Sequence, residues 1–217
     1  MAMAVGQLLD EQYEVLSVIS EGTHSYIYKA KERLTGLSCV IKVLKTGEGK
    51  DALVRFQQEA KMLRRLDHPS IVRFQTFGAT ESGEPYLVME SAEGKSLETI
   101  LGQDGCLPVD KALKLFEQIC DAMGFAHHIG ILHRNLKPSK IIVTSDSGAD
   151  ISIKIFDFGV AGILLSDYNH IANLTKPGST VKSPHYMSPE QCIARQRDAR
   201  ADIYAFGPLM VKTLSKC

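Results

Sequence analysis

The chain contains 217 residues, a length sufficient for one large domain or two smaller units with a substantial core. Hydrophobic residues make up 44% and charged residues 23% of it, the proportions of an ordinary soluble globular protein. Basic and acidic residues both number 25, and this balance argues against nucleic-acid or membrane-surface binding through bulk charge.

The cysteines and the N-terminus bear on location. The five cysteines are scattered and form no CxxC pair or zinc-spaced cluster: Cys39, Cys106, Cys120, Cys192 and Cys217. This pattern predicts reduced thiols in a cytoplasmic protein. Residues 1–12, "MAMAVGQLLDEQ", lack a basic segment followed by a long apolar run. We therefore expect a leader that is not a signal peptide, and no run elsewhere reaches membrane-spanning length.

The first predicted elements are short strands and one helix. "YEVLSVI" and "SYIYKAKE" are typical of a strand pair around a glycine turn, and "SCVIKVLK" follows the turn "LTG". From about Asp51 to Leu66, apolar residues at three- and four-residue steps predict a helix: Leu53, Phe56, Ala60 and Leu63. Glu59 lies at the edge of that apolar face, where a carboxylate needs a cationic partner on a neighbouring strand.

The pattern becomes helical in the second half of the chain. "IVRFQTFG" and "PYLVME" supply two more strands before it does so. An apolar stripe then predicts a long helix opened by Pro108 and closed by Gly130: Val109, Leu113, Phe116, Ile119, Met123 and Ala126. Short β runs at 141–143 and 151–156 follow, and a final helix is predicted to start near Asp202. Strands first and helices second indicate an α+β, two-lobed body.

Several short motifs occur in one order along the chain: "ISEGTHSYIYKA", "CVIKVL", "VMESAEGKSL", "HRNLKPSK", "IFDFGVAG" and "YMSPEQ". Each is weak alone, but their order and gaps are specific. Together they resemble the eukaryotic-type protein kinase domain of Ser/Thr type, and "YMSPEQ" is similar to the bacterial members. The resemblance runs from about Tyr13 to Cys217. It implies a small antiparallel β lobe with one helix over 13–90 and a mainly helical lobe over 91–217.

The resemblance assigns phosphate-binding roles in the small lobe. Lys42 matches the strand lysine that holds the α- and β-phosphates of ATP, and Glu59 matches its helix partner. Gly22 matches the second glycine of the loop that covers the phosphates. Ser20 and Ser25 replace the first and third glycines, which leaves a stiffer cover with weaker phosphate contact.

The resemblance also implies an adenine pocket. The Glu90 carbonyl and the Ala92 amide would hydrogen-bond the adenine edge at the hinge, with Met89 guarding the pocket. Three aliphatic side chains would sandwich the base: Ile27, Val40 and Ile142. The family commonly has alanine where Val40 stands, so we expect a tighter slot.

Two substitutions fall on the catalytic loop "HRNLKPSK". Active relatives carry the aspartate base at the position of Asn135 and a metal-binding asparagine at the position of Lys140. An amide cannot take a proton at neutral pH, and loss of general base assistance lowers the rate about 10²–10⁴-fold. Asp157 of "DFG" would bind Mg²⁺, but the Lys140 ammonium offers that ion no lone pair and repels it. Lys137 remains to contact a γ-phosphate.

Two hypotheses for Lys140 stay open. In the first, its ammonium lies roughly where a metal ion would, between Asp157 and the phosphates, and ATP binds with little need for Mg²⁺. In the second, it pairs with Asp157 and blocks the pocket.

The last third of the chain carries three further expectations. Thr175, Ser179 and Thr180 lie in a segment that resembles an activation loop, from which Arg134 would receive a phosphate. Asp202 would tie the final helix to the catalytic-loop backbone. The sequence stops within or just after this helix, whereas family domains continue, so we expect an incomplete large lobe with an exposed apolar surface.

Three functions therefore stay open. The first is an ATP-binding pseudokinase that acts by binding a protein partner. The second is a slow Ser/Thr kinase that uses Lys137 and Asp157 with one metal ion and transfers the ATP γ-phosphate to protein hydroxyls. The third is a fragment without independent function.

Overall fold

The computed structural model of the chain describes residues 3–22, 25–45, 60–61, 63–147, 150–158, 184–192 and 198–215. The chain divides into two compact units. The first comprises Met1–Asp67 and Val72–Ser91, and the second comprises His68–Ile71 and Ala92–Cys217. The described part of the first unit is mostly strands, and that of the second is helices with a small sheet.

The first unit contains one antiparallel sheet of six strands in the order β1-β2-β3-β4-β6-β5. The strands are β1 (Leu8–Leu9), β2 (Tyr13–Glu21), β3 (Ser25–Glu32), β4 (Ser38–Leu44), β5 (Phe74–Ala79) and β6 (Pro85–Glu90). The predicted strand pair is confirmed, because β2 pairs with β3 around the glycine turn. Strand β1 was not predicted, and it lies inside the leader of residues 1–12.

The core of the first unit lies on one face of this sheet. Alternate residues of each strand point to the same face, and paired residues on neighbouring strands share it. Register therefore puts Tyr28, Ile41 and Val88 together. The full buried cluster is Leu9, Tyr13, Val15, Tyr28, Ala30, Cys39, Ile41, Val43, Tyr86 and Val88. The residues that alternate with these, such as Val40 and Lys42, lie on the opposite face of the sheet.

Four helices and a three-stranded sheet make up the described part of the second unit. The helices are α1 (Leu97–Asp104), α2 (Val109–His128), α3 (Pro189–Cys192) and α4 (Ala199–Leu214). The strands are β7 (Lys95–Ser96), β8 (Ile141–Ser147) and β9 (Asp150–Ile155), paired antiparallel in that order. Short 3₁₀ turns occupy Pro138–Lys140 and Pro184–Tyr186.

Helix α2 was predicted within a few residues of its bounds, but its buried face was partly wrong. Phe116, Ile119, Met123 and Ala126 are buried as expected. Val109 and Leu113 are exposed, at 62% and 60%, and the first two turns instead bury Ala112 and Leu115. The small alanine supplies a weaker sequence signal than the larger aliphatics beside it.

Gln118 of helix α2 bonds to strand β9. Its side-chain amide donates to the Ile151 carbonyl at 2.8 Å and accepts from the Ile153 amide at 3.2 Å. An edge strand leaves backbone groups unpaired, and this side chain satisfies two of them. The strand that leads to residues 156–158 is thereby fixed to the helix.

Helix α4 begins three residues earlier than predicted, at Ala199, where the Asp198 side chain accepts a hydrogen bond from the Arg200 amide. Pro208 lies inside the helix and not in its first turn. It therefore removes one backbone hydrogen bond at a cost of about 3 kcal/mol. Ile203 and Val211 of this helix are exposed at 63% and 65%.

The helix predicted from Asp51 to Leu66 lies largely outside the described residues, although Ala60 and Leu63 are helical and buried.

The prediction of reduced thiols is wrong for Cys106, which is disulfide-bonded. The cytoplasmic location loses that support. Of the helices that the structure describes, none combines the length and the apolar character that crossing a bilayer requires.

Candidate functional site

The predicted nucleotide-binding residues of the first unit share one face of its sheet. Ile27 pairs with Lys42, which pairs in turn with Leu87, and Val40 pairs with Met89. Because paired residues and alternate residues lie on the same side, all five belong to the face opposite the core. Ile27, Val40, Lys42 and Met89 therefore share one face of the sheet, and their role in binding a nucleotide stays a prediction.

Lys42 is a buried cation at 6% exposure on an otherwise aliphatic strand. Such a charge is retained only where other groups compensate it. Glu59, its predicted partner, lies outside the described residues, so the pairing of these two residues stays a prediction.

Gly22 lies in the turn that follows β2. The Gly22 amide donates to the Ser25 carbonyl at 2.8 Å, which closes the turn. A Cβ added at Gly22 would meet only that carbonyl, at an ordinary 3.5 Å. Residues 23–24 lie outside the described residues. Gly22 is therefore not required here for backbone conformation, although a bound phosphate would still favour a small residue.

The end of β6 and the residues after it contain the backbone groups predicted to bond adenine. The Glu90 amide, which is not one of those groups, donates to the Arg73 carbonyl at 2.9 Å. The Ala92 amide, in the second unit, donates to no acceptor among the described residues. Ile142 lies half-buried on β8, paired with Ser96 and Lys154.

Asp202 anchors the catalytic-loop segment, as predicted. Its carboxylate accepts the amide of His133 at 2.8 Å and that of Arg134 at 2.7 Å, and it lies 2.9 Å from the His127 ring. Asp202 is 2% exposed, so these contacts replace its lost hydration. Gln191 adds a further tie by donating to the Arg134 carbonyl at 2.9 Å.

His133 is held as one neutral tautomer. Its Nδ1 accepts the Asn135 amide at 3.3 Å, so this nitrogen carries no proton. Its Nε2 lies 3.1 Å from the Phe156 carbonyl and therefore donates to it. Complete burial lowers the pKa of His133 below its ordinary value, and the nearby carboxylates of Asp202 and Asp157 only oppose that effect.

Asn135 and Lys137 differ in exposure. Asn135 is exposed, and Lys137 is half-buried with an extended backbone just before the 3₁₀ turn. Arg134 adopts a φ of 67°, and its buried Nε has no acceptor among the described residues. The three hydroxyl residues expected to bring it a phosphate lie outside those residues. The side-chain amide of Asn135 does not accept a proton at neutral pH.

The Lys140 ammonium contacts Asp157 directly. Its Nζ lies 2.6 Å from Asp157 Oδ2, and the two side chains are 18% and 19% exposed. The same Nζ lies 5.0 Å from the centre of the Phe156 ring. Asp157 adopts a φ of 73°, a conformation that a non-glycine residue rarely takes. The ion pair is the contact that the second hypothesis for Lys140 contains, whereas the sequence had no signal for the aromatic contact.

A Mg²⁺ ion does not fit this arrangement. Mg²⁺ needs an octahedron of oxygen ligands, and an oxygen of Asp157 is already bonded to an ammonium. The ammonium alone would repel a divalent ion about 4 Å away by about 8 kcal/mol at an effective dielectric constant of 20, which offsets the attraction of the Asp157 carboxylate. Among the described residues, no group of three histidine, cysteine or carboxylate side chains could hold a metal.

The sheet-then-helix order and the anchored loop define the α+β, bilobal protein-kinase-like fold class. Solved structures confirm it. The kinase domain of Mycobacterium tuberculosis PknI matches with a TM-score of 0.74 and 23% identity over 99% of this chain and 78% of that one. Rad53 residues 1–466, in complex with AMP-PNP, match with a TM-score of 0.75 and 25% identity over 96% of this chain and 49% of that one.

The protein kinase domain family matches residues 13–217, so the chain belongs to that family. It is 33% identical over 213 residues to the serine/threonine-protein kinase pkn3 of Myxococcus xanthus, covering 97% of this chain and 39% of that protein. It is 30% identical over 212 residues to the serine/threonine-protein kinase PknB of Mycobacterium leprae, covering 95% and 33%. The chain thus spans between 30% and 39% of the length of the curated relatives that match it first.

Proposed function

We propose that the chain is a nucleotide-binding domain of the protein kinase family that transfers phosphate very slowly or not at all and acts by binding a protein partner. The observation that carries this proposal is the 2.6 Å ion pair between Lys140 and Asp157. It occupies the carboxylate that an active relative would offer to Mg²⁺, so the phosphates lose the divalent charge on which transfer relies.

The amide at Asn135 supports the same proposal independently. An aspartate base contributes about 10²–10⁴-fold by taking a proton from the attacking hydroxyl. Asn135 accepts a hydrogen bond but not that proton. Because phosphoryl transfer depends mostly on positioning and charge, we expect the Lys140 substitution to lower the rate more than the Asn135 substitution.

Nucleotide binding is supported by residues that the substitutions leave intact. Ile27, Val40 and Met89 form an aliphatic surface on the face that also carries the buried Lys42 cation. The Ala92 amide donates to no acceptor among the described residues, as expected of a group reserved for a base edge. The similarity to Rad53, solved with the ATP analogue AMP-PNP, points to an adenine nucleotide as the ligand.

A slow Ser/Thr kinase is the second candidate. It is favoured by the Asp202 contacts, which hold the loop backbone at residues 133 and 134 although the chemistry of the loop is altered. In this case Lys137 and Asp157 would support a low rate of γ-phosphate transfer to protein hydroxyls.

Transfer of radiolabelled phosphate from ATP to a generic basic protein separates the two candidates. We expect the unmodified chain to give no magnesium-dependent labelling above a no-enzyme blank. The Asn135→Asp, Lys140→Asn double variant should restore labelling, and adding Asp157→Asn to it should abolish labelling again. Brisk magnesium-dependent labelling by the unmodified chain would refute the proposal in favour of an active kinase.

Three further points stay proposals. The lobes are proposed to span 13–90 and 91–217, after the leader at 1–12. A pull-down experiment tests signalling through a protein partner, and cell fractionation tests a cytoplasmic location. A fragment without independent function would melt without a cooperative circular-dichroism transition, whereas we expect a cooperative one.

A further inference from the structure

The Lys140 ammonium is held in a fixed position by its surroundings. The Lys140 amide donates to the Lys137 carbonyl at 2.8 Å, and the Lys140 carbonyl accepts the Phe156 amide at 3.1 Å. These bonds join the 3₁₀ turn to the end of β9. At the other end of the side chain, Nζ is bonded to Asp157 and lies over the Phe156 ring. The charge is therefore placed by contacts at both ends of the residue.

Two N–H groups of this ammonium have no acceptor in the part of the chain that the structure describes. A protonated lysine has three N–H groups, and Asp157 takes one of them. The side chain retains 18% exposure, so solvent or a ligand reaches it. The arrangement is a preformed donor site for an anionic oxygen.

The charge balance favours a metal-free ligand. The Lys140–Asp157 pair is neutral, so an arriving triphosphate meets no net negative charge there. A Mg²⁺ ion carried by the triphosphate would meet the same neutral pair instead of an unpaired carboxylate, so it would lose the net attraction that such a carboxylate gives a cation. The single positive charge of Lys140 can neutralise part of the phosphate charge without the geometry that Mg²⁺ demands.

We propose that the nucleotide bound by this chain is the metal-free triphosphate, and that its phosphate oxygens accept hydrogen bonds from the Lys140 ammonium in the place of a magnesium ion. This inference rests on the proposed nucleotide binding and adds the ionic form of the ligand to it. Lys140 and Asp157 then form a positioning pair, in which the carboxylate aims the ammonium at the phosphate.

Calorimetric titration of the unmodified 217-residue chain with ATP tests the inference, in one buffer with excess EDTA and in another with excess magnesium chloride. We expect ATP to bind at least as tightly in EDTA as in magnesium. Adenosine, which has no phosphate, should bind more weakly than ATP but equally in the two buffers. These arms use no variant, so they do not depend on a substituted protein folding correctly.

Two lysine variants assign the effect to its residue. Lys140→Asn should weaken ATP binding in EDTA about tenfold, the loss expected for one charge-assisted hydrogen bond. Added magnesium should restore the ATP affinity of this variant, and its affinity for adenosine should equal that of the unmodified chain. Lys114→Asn is the matched control, because Lys114 also pairs with an aspartate, Asp150, at 2.8 Å but on the exposed side of helix α2. It should leave both ATP affinities unchanged.

The outcomes separate the two proposals. Binding of ATP that is tenfold tighter with magnesium overturns the metal-free inference and leaves nucleotide binding standing. Equal ATP affinities of Lys140→Asn and the unmodified chain in EDTA overturn the role of Lys140. Absence of ATP and adenosine binding in both buffers overturns nucleotide binding itself. If ATP then binds only to the Lys140→Asn variant, the ion pair blocks the pocket, as the second hypothesis for Lys140 holds.

Discussion

Replacement of Asp202 by alanine tests whether one carboxylate sets the conformation of the catalytic loop. The side chain is 2% exposed and accepts two backbone amides, from His133 at 2.8 Å and from Arg134 at 2.7 Å. Alanine accepts neither. The His133 amide lies in a fully buried setting, and the Arg134 amide in a partly buried one. Water therefore replaces the lost acceptor poorly.

The magnitude follows from those two donors. Leaving a buried N–H group without an acceptor costs about 1–3 kcal/mol, and because the Arg134 amide is only partly buried, the two groups together give about 2–5 kcal/mol. The loss of a buried partner for the His127 ring, 2.9 Å away, acts in the same direction. We therefore expect Asp202→Ala to lower the free energy of unfolding by about 2–5 kcal/mol, a large part of the stability of an ordinary domain.

Urea denaturation followed by circular dichroism measures this loss as a lower midpoint with an unchanged slope. Asp150→Ala is the control, because it removes an aspartate of the same unit whose side chain is 84% exposed. We expect its midpoint to stay close to that of the unmodified chain. A midpoint for Asp202→Ala as high as that of the control would refute the anchoring role.

Three other predictions concern stability. Pro208→Ala should raise the melting temperature, because it restores a hydrogen bond inside α4 that stabilises the chain by up to about 3 kcal/mol. Gly207→Ala should stabilise the chain by about 1 kcal/mol, since the new Cβ would meet nothing within 4 Å. Lower melting temperatures would contradict both predictions. Gly94→Ala should destabilise the chain, because φ is 150° and the new Cβ would lie 2.0 Å from a backbone oxygen, whereas Gly102→Ala in α1 should be tolerated; equal melting curves would count against this reasoning. The lowered pKa of His133 means that the unfolded chain binds a proton more readily. Its contribution to stability is therefore complete above about pH 6.5 and is lost as the pH falls from there through the folded pKa. Unfolding free energies that stay level from pH 7 to pH 5 would exclude it.

The fold could be predicted from the sequence wherever periodicity and turn residues agree. The strands at 13–21, 25–32 and 85–90 are short runs with aromatic and β-branched residues between clear turns, and each formed at or within two residues of its predicted bounds. The unpredicted strands β1 and β7 are two residues long, too short to show a period. Their pairing depends on a partner strand that is distant in sequence or on the fold of the unit.

The candidate site was predictable only as far as local motifs reach. The resemblance supplied the positions of Lys42, Lys140 and Asp157, and pairing of the last two was one of the two hypotheses that the sequence left open. The tautomer of His133 could not be predicted, because it depends on the Phe156 carbonyl 23 residues away in sequence. The disulfide at Cys106 was missed for a similar reason, since cysteine spacing does not define proximity in three dimensions.

The loop that carries both substitutions is held by residues that are not themselves substituted. Asp202 fixes the amides at 133 and 134, His133 fixes the amide at 135, and the Lys137 carbonyl fixes the amide at 140. None of these bonds uses the side chain of Asn135 or Lys140. The two changes therefore alter proton affinity and charge without altering the backbone on which they stand. Restoring the acid and the neutral amide should recover phosphate transfer if the rest of the site is sound, and failure of a well-folded double variant to transfer would place the defect outside these two side chains.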